Sequence, residues 1–230
     1  MEYLTEFIQL FKVAPRKARV LDIGCGSGFY ADFWKNYDIE HYTGVDVSPA
    51  AITRLQDRHP YYRFQVQDIS HALPDSMLAR PYDIVTCFDV LYHIVNDQLF
   101  EKSVANIGRL IKPGGYFLAF EQFSRQSYSP SAHVKFRNRS AYSDGFTASR
   151  LSVVHSRHLF QLLVPPLFGT QLLDVPIAGI YKLAGQMTIS SESFGRFAGR
   201  SLLGLDRVLL RCGSRLPNNE FICFQADPDA

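Results

Sequence analysis

Three glycines stand at alternate positions in Val20-Leu21-Asp22-Ile23-Gly24-Cys25-Gly26-Ser27-Gly28, where a short apolar run gives way to a helix-compatible segment. Bare backbone at such a bend lets a ligand approach the main chain, and a Cβ there would meet that ligand or force a positive φ. Asp46 follows about 20 residues beyond the loop, the separation at which a carboxylate at the end of a neighbouring strand can accept hydrogen bonds from ribose hydroxyls. It can equally be an acid at the start of a helix, since Ser48-Pro49 comes next. The chemistry these residues suggest is the holding of a nucleoside-bearing ligand.

The elements that must position them are legible in the periodicity. Leu4, Phe7, Ile8 and Phe11 recur at helical spacing and predict an amphipathic lead-in helix. Strands are expected over 19–23, 41–47, 62–66, 82–88 and 116–120, with helices over 29–37, 50–58 and 97–110. Lys112-Pro113-Gly114-Gly115 reads as a turn and 73–75 as a loop. Strands alternating with helices predict a mostly parallel sheet covered on both faces. From 122 to 142 the chain is polar and predicts a surface lid or substrate loop. Two closing strands are expected at 152–163 and 220–225, with a helical insertion over 165–211 between them.

The glycine loop resembles the first motif of the class I S-adenosylmethionine-dependent methyltransferases, hydrophobic-Asp-hydrophobic-GxGxG. The resemblance covers Val20 to about Glu121 and is diffuse downstream. It implies an α/β, Rossmann-like, seven-stranded, mostly parallel sheet with helices on both faces, here with a C-terminal helical insertion. The whole of 1–230 is read as one domain, with a cofactor core over 1–121, a lid over 122–145 and the closing strands and insertion over 146–230. The nearest competitor is the dinucleotide fingerprint GxGxxG, but Phe29 occupies the place where that motif needs a small residue for close helix packing.

The resemblance further implies that S-adenosylmethionine is the cofactor, leaving as S-adenosylhomocysteine. Its site would be bordered by Asp22, Gly24, Cys25, Gly26 and Gly28 from the first motif and by Asp46 and Val47 from the second strand. Asp68 matches the position whose side chain takes the adenine amino group, with Ile69 beside it; an Asx turn is the competing role for Asp68. Phe88 and Asp89 end the fourth strand beside the methionine half. A sulfonium is attracted to an aromatic face, for which Phe88 and Tyr92 are candidates, although either ring could be plain core.

Methyl transfer needs alignment more than acid–base machinery, but a hydroxyl acceptor profits from a base. His93 is the candidate, with a helix-capping role as the alternative. Tyr92, Glu121, His133 and Arg137 are expected toward the acceptor. Glu121 ends the fifth strand on the ligand side, and His133 with Lys135, Arg137 and Arg139 could hold an acidic acceptor or form a solvated basic loop. Cys25 and Cys87 lack a neighbouring base in sequence and read as packing residues.

Composition narrows the remainder. Twenty-four basic against 22 acidic residues leave a formal charge of +2, which gives no electrostatic footprint for nucleic acid. No CxxC or His/Cys cluster suggests a metal. The apolar stretch 159–184 is interrupted by Pro165, Pro166, Asp174 and Pro176, against a membrane span, and the first twelve residues do not have the layout of a secretory signal. A cytoplasmic enzyme methylating a small molecule is expected, by O-methylation of a sugar, glycan or secondary metabolite. A dinucleotide-dependent oxidoreductase and a non-catalytic cofactor-binding module are the alternatives. The oligomeric state is not encoded in any feature of the sequence.

Overall fold

The computed structural model describes residues 2–160, 167–190, 192–212 and 219–229. Helix α1 (Glu2–Leu10) leads into β1 (Arg19–Ile23), α2 (Phe29–Lys35), β2 (His41–Asp46), α3 (Pro49–Arg58), β3 (Arg63–Val66), α4 (Asp75–Leu78), β4 (Tyr82–Phe88), α5 (Asp97–Leu110) and β5 (Ile111–Gln122). Then come β6 (Tyr128–Ser131), β7 (Val134–Phe136), α6 (Arg139–Ala148), β8 (Leu151–His158), α7 (Gln171–Ser190), α8 (Glu192–Arg211) and β9 (Asn219–Ala226). Seven strands form one sheet in the order β3-β2-β1-β4-β5-β9-β8, and β6 and β7 form a separate two-stranded ribbon.

Strands β1 to β5 pair in parallel, whereas β9 runs antiparallel to both β5 and β8. The strands buried on both faces are apolar runs such as Val20-Leu21 and Ile84-Val85, as a doubly covered sheet requires. One face is packed by Leu4 and Phe7 of α1, Phe33 and Trp34 of α2 and Leu55 of α3. The other is packed by Phe100, Val104 and Ile107 of α5 with Tyr142 and Phe146 of α6. This is the α/β, Rossmann-like architecture that the alternation predicted.

Three expectations need correction. The turn expected at 112–115 lies inside β5, which opens at Ile111 with an irregular register opposite β4, and Gly114 takes a positive φ of 72° there. The loop at 73–75 leads into a one-turn helix, α4. The polar segment 122–142 is not a simple surface loop: it contains the β6–β7 ribbon and enters α6. Phe123, Tyr142 and Arg137 within it are buried. Polarity misled because the segment carries its apolar content as rings spaced along it; Tyr142 meets Phe123 and Phe100 edge-on at 4.9 and 5.1 Å. Of the closing strand expected at 152–163 and the insertion expected at 165–211, residues 161–166 and 191 lie outside the described residues.

Candidate cofactor and acceptor site

The carboxyl ends of β1, β2 and β4 meet where the sheet order reverses, the place at which open α/β sheets bind ligands. A cavity of about 520 Å³ lies there, bordered by Gly24, Asp46, Val47, Asp68, Ile69, Phe88, Asp89 and His93. The geometry of its rim begins with Gly24, whose φ is 74°. A Cβ on Gly24 would collide with the Val90 side chain, so the protein's own β4 loop already demands glycine before any ligand arrives. Gly28 (φ 83°) is constrained in the same way by Leu55 of α3.

Asp46 serves the loop and the cavity at once. Its Oδ2 accepts from the Gly26 N–H at 2.9 Å and its Oδ1 from the Ser48 N–H at 2.9 Å, which couples the glycine loop to the start of α3. Both oxygens keep further lone pairs for a ligand. Ser48 then caps α3 by accepting from the Ala51 N–H.

Asp68 forms an Asx turn, with Oδ1 accepting from the Ser70 N–H at 2.8 Å and the Ser70 hydroxyl at 2.7 Å, and it also borders the cavity. Burial alone would push this carboxyl up, but the Ser70 hydrogen bonds and nearby His71 hold it below the usual carboxylate range. Asn106 of α5 fixes the turn from behind, donating to the Ile69 and His71 carbonyls, each at 2.8 Å.

Asp22 and Cys25 are placed elsewhere. The Asp22 carboxylate is buried and accepts from the Tyr42 hydroxyl at 2.6 Å and the Thr86 hydroxyl at 2.7 Å, cross-linking β1 to β2 and β4; burial pushes its carboxyl up to about 6. It braces the motif from inside and does not border the cavity. Cys25 is likewise buried, its sulfur over Gly44, and burial pushes its thiol up to about 12, far from a nucleophile's range.

On the methionine side, Phe88 borders the cavity and lies 4.4 Å, ring to ring, from Tyr30. Tyr30 shares a 2.9 Å hydroxyl contact with Tyr3 of α1. The lead-in helix therefore reaches the site, which its apolar spacing did not announce. Asp89 sits at a positive φ of 57° with its N–H donated to the Phe120 carbonyl. Burial, eased by a hydrogen bond with Tyr92 and by the proximity of His93, leaves its carboxyl at about 6.

A single 3₁₀ turn, Leu91–His93, carries the acceptor candidates. The Tyr92 ring lies tilted against His93 and Phe136 of β7, with centroids 4.4 and 5.6 Å away. His93 borders the cavity, and its Nδ1 is 3.2 Å from the His133 carbonyl oxygen. His133 thus contributes its main chain, while its own side chain is exposed at the tip between β6 and β7.

Glu121 and Arg137 are corrected from acceptor-facing groups to braces behind this turn. Glu121 is fully buried and accepts from the Leu91 N–H at 2.9 Å, the Val90 N–H at 3.3 Å and the Tyr142 hydroxyl at 3.3 Å. Burial pushes its carboxyl up to about 8, with Asp89 adding to the effect. Arg137 is buried too, donating to the Ile94 carbonyl at 2.8 Å and Asp97 at 2.9 Å, with its guanidinium 4.0 Å over the Phe100 ring. It borders a different cavity, about 660 Å³, between α5, α6 and the ribbon. Lys135 joins it on Asp97, and Arg139 meets Glu220, so the expected basic cluster is spent on internal ion pairs.

Gln67, Ser70, Val90, Ile94, Val95 and Leu99 also border the cofactor cavity and were not foreseen. Gln67 and Ser70 flank Asp68 and could have been found from that neighbourhood; the apolar four carry no local signal.

The model of a methyltransferase domain family matches residues 2–164. The chain belongs to that family. S-adenosylmethionine is its cofactor, and the cavity fits it: Gly24 main chain at the rim, carboxylates at Asp46 and Asp68 for polar edges, and the Phe88 ring for a cationic sulfur. Among curated proteins the chain is 35% identical over 102 residues to the ubiquinone biosynthesis O-methyltransferase of Aromatoleum aromaticum and 33% identical over 108 residues to that of Coxiella burnetii. These matches cover 42% and 45% of this chain, and the chain spans only 41% and 43% of those enzymes' length. A solved S-adenosylmethionine-dependent methyltransferase from Mesorhizobium loti shares the fold with a TM-score of 0.57 at 14% identity, over 96% of each chain.

Proposed function

We propose that this methyltransferase domain transfers a methyl group from S-adenosylmethionine to a hydroxyl of a small molecule, with His93 taking the hydroxyl proton. One observation carries this reading. A carbonyl oxygen can only accept, so the 3.2 Å contact between His93 Nδ1 and the His133 carbonyl assigns the imidazole proton to Nδ1 and leaves the Nε2 lone pair available beside the cofactor cavity. Asp89 lies close enough to His93 for the imidazole to ease its carboxyl downward against the effect of burial.

When bound, S-adenosylmethionine supplies an electrophilic methyl group attached to a good leaving group. The chain's part is alignment: Gly24, Asp46 and Asp68 hold the nucleoside end, and Phe88 offers its ring to the sulfonium. Tyr92, Phe136 and Tyr128 form an aromatic row from the His93 turn along the ribbon, suited to the carbon face of a sugar or another ring. The two relatives named as O-methyltransferases support oxygen as the acceptor atom.

Labelled methyl transfer against a panel of hydroxyl-bearing sugars, glycans and phenols tests the reading. With an accepted substrate, His93→Gln should lower kcat by roughly 10²–10⁴-fold while cofactor affinity measured by calorimetry stays unchanged. Wild-type kcat in that variant would remove His93 from the chemistry. Binding of a nicotinamide dinucleotide in place of S-adenosylmethionine would overturn the whole assignment.

A further inference from the structure

Helices α7 and α8 pack mainly on each other and leave apolar side chains in solvent. Leu172, Ile180 and Leu183 on α7 are 85%, 66% and 61% exposed, and Phe197, Leu205 and Val208 on α8 are 71%, 48% and 53% exposed. Within each trio the second and third residues follow the first by eight and eleven positions, a spacing that keeps all three on one helical face. Isolated exposed apolar residues need no explanation, but two aligned faces on one hairpin do.

The charges on the same helices identify what covers them. Arg200, Arg207 and Arg211 are exposed and project, by helical phase, as one stripe beside the apolar face of α8; exposed Lys182 holds the matching phase on α7. Of the acids on these helices, Asp174 and Asp206 are buried. Asp174 is consumed at the root of α7, accepting from the Phe168, Gly169 and Thr170 N–H groups at 2.9, 2.8 and 3.1 Å. An apolar face bordered by long basic side chains is complementary to a bilayer with anionic headgroups, in which the arginine stems lie along the acyl boundary and their charges reach the phosphates.

We propose that the α7–α8 hairpin is a peripheral docking surface for an anionic phospholipid bilayer. No helix among the described residues is long and apolar enough to cross a membrane, so the contact is interfacial. The hairpin's root is tied to the chain just beyond β5, where the Arg125 N–H donates to the Leu167 carbonyl at 2.9 Å, so docking holds the ribbon side of the enzyme near the lipid surface.

Flotation of the full chain with phosphatidylcholine vesicles, and with vesicles that also contain phosphatidylglycerol, tests this. Wild type should float with the anionic vesicles, lose binding as salt rises, and bind neutral vesicles weakly. Arg200→Gln, Arg207→Gln and Arg211→Gln should each weaken anionic binding about fivefold, and the Leu205→Ser/Val208→Ser pair should weaken it as well, while S-adenosylmethionine binding reports an intact fold. Absence of flotation with both vesicle types overturns the proposal, as does flotation indifferent to lipid charge and to the arginine variants. A dimer in light scattering that the serine pair dissociates, without vesicle binding, would assign the face to a second copy. Binding to polyglutamate but not to vesicles would assign it to an acidic protein. Docking uses neither His93 nor the methyl acceptor, so its failure leaves the proposed chemistry standing.

Discussion

Glu121→Gln should make the protein's stability less dependent on pH, and the size of that change follows from what the side chain touches. Glu121 is fully buried, with its carboxyl raised from an ordinary value of 4.5 to about 8. A raised carboxyl pKa means that the folded state binds more protons than the unfolded one at intermediate pH. The favourable contribution is complete below about 4.5 and is lost as pH rises toward about 8. One proton of difference is worth about 1.4 kcal/mol per pH unit, so roughly 3 kcal/mol should be lost between about pH 5.5 and 7.5. Glutamine mimics the protonated acid: its oxygen accepts from the Val90 and Leu91 N–H groups, and its amide can donate to the Tyr142 hydroxyl. Urea denaturation at half-unit pH steps should therefore give similar stabilities for the two proteins near pH 5, with the variant gaining steadily on wild type above it. Asp22 also titrates near 6 but is common to both proteins and drops out of the difference, whereas Asp89 helps to raise the Glu121 carboxyl and so belongs to the effect being measured. Parallel stability curves would refute the assignment of a proton to this carboxyl.

The other braces make sharper demands on single positions. Asp46→Ala removes the acceptor for the Gly26 and Ser48 N–H groups and should weaken S-adenosylmethionine binding by about 1–3 kcal/mol in calorimetry, with a smaller fall in Tm. Gly24→Ala combines a left-handed φ with a collision against Val90 and should cost roughly 2–4 kcal/mol in chemical denaturation. Gly114→Ala, at a similar φ but with open space around its Cβ, should cost only about 1–2 kcal/mol, which separates backbone strain from the collision.

Nearly all of the parallel half of the fold could be read from local periodicity, because its βα units carry their own punctuation: Gly24 after β1 and Ser48-Pro49 before α3. The cap of α5 is Asn96, whose side chain accepts from the Leu99 N–H at 3.0 Å, and not His93, the capping alternative raised from the sequence. The ribbon and α6 were hidden because their stability comes from partners far along the chain. Tyr142 is buried against Phe100, and Arg137 answers Asp97. Serine- and arginine-rich composition describes neither pairing. The arginines on this segment look like a solvated loop until α5 supplies the carboxylate and the ring that absorb them.

The same distinction separates the site residues that could be read from those that could not. Glycine spacing and the acids after β2 and β3 mark the cofactor side because a bare backbone and a carboxylate are local requirements. The acceptor side is built by convergence: the turn carrying Tyr92 and His93 is held by Glu121 beneath it, by Arg137 through the Ile94 carbonyl, and by the His133 carbonyl on the imidazole. Glu121 and Arg137 have the residue types of substrate-binding groups, yet burial in the presence of backbone donors and carbonyls turns both inward. Their hydrogen bonds are spent on fixing the position of His93. A change of acceptor specificity is therefore expected from substitutions along the Tyr92, Phe136 and Tyr128 row, whereas substitutions at Glu121 or Arg137 should lower kcat for every acceptor alike.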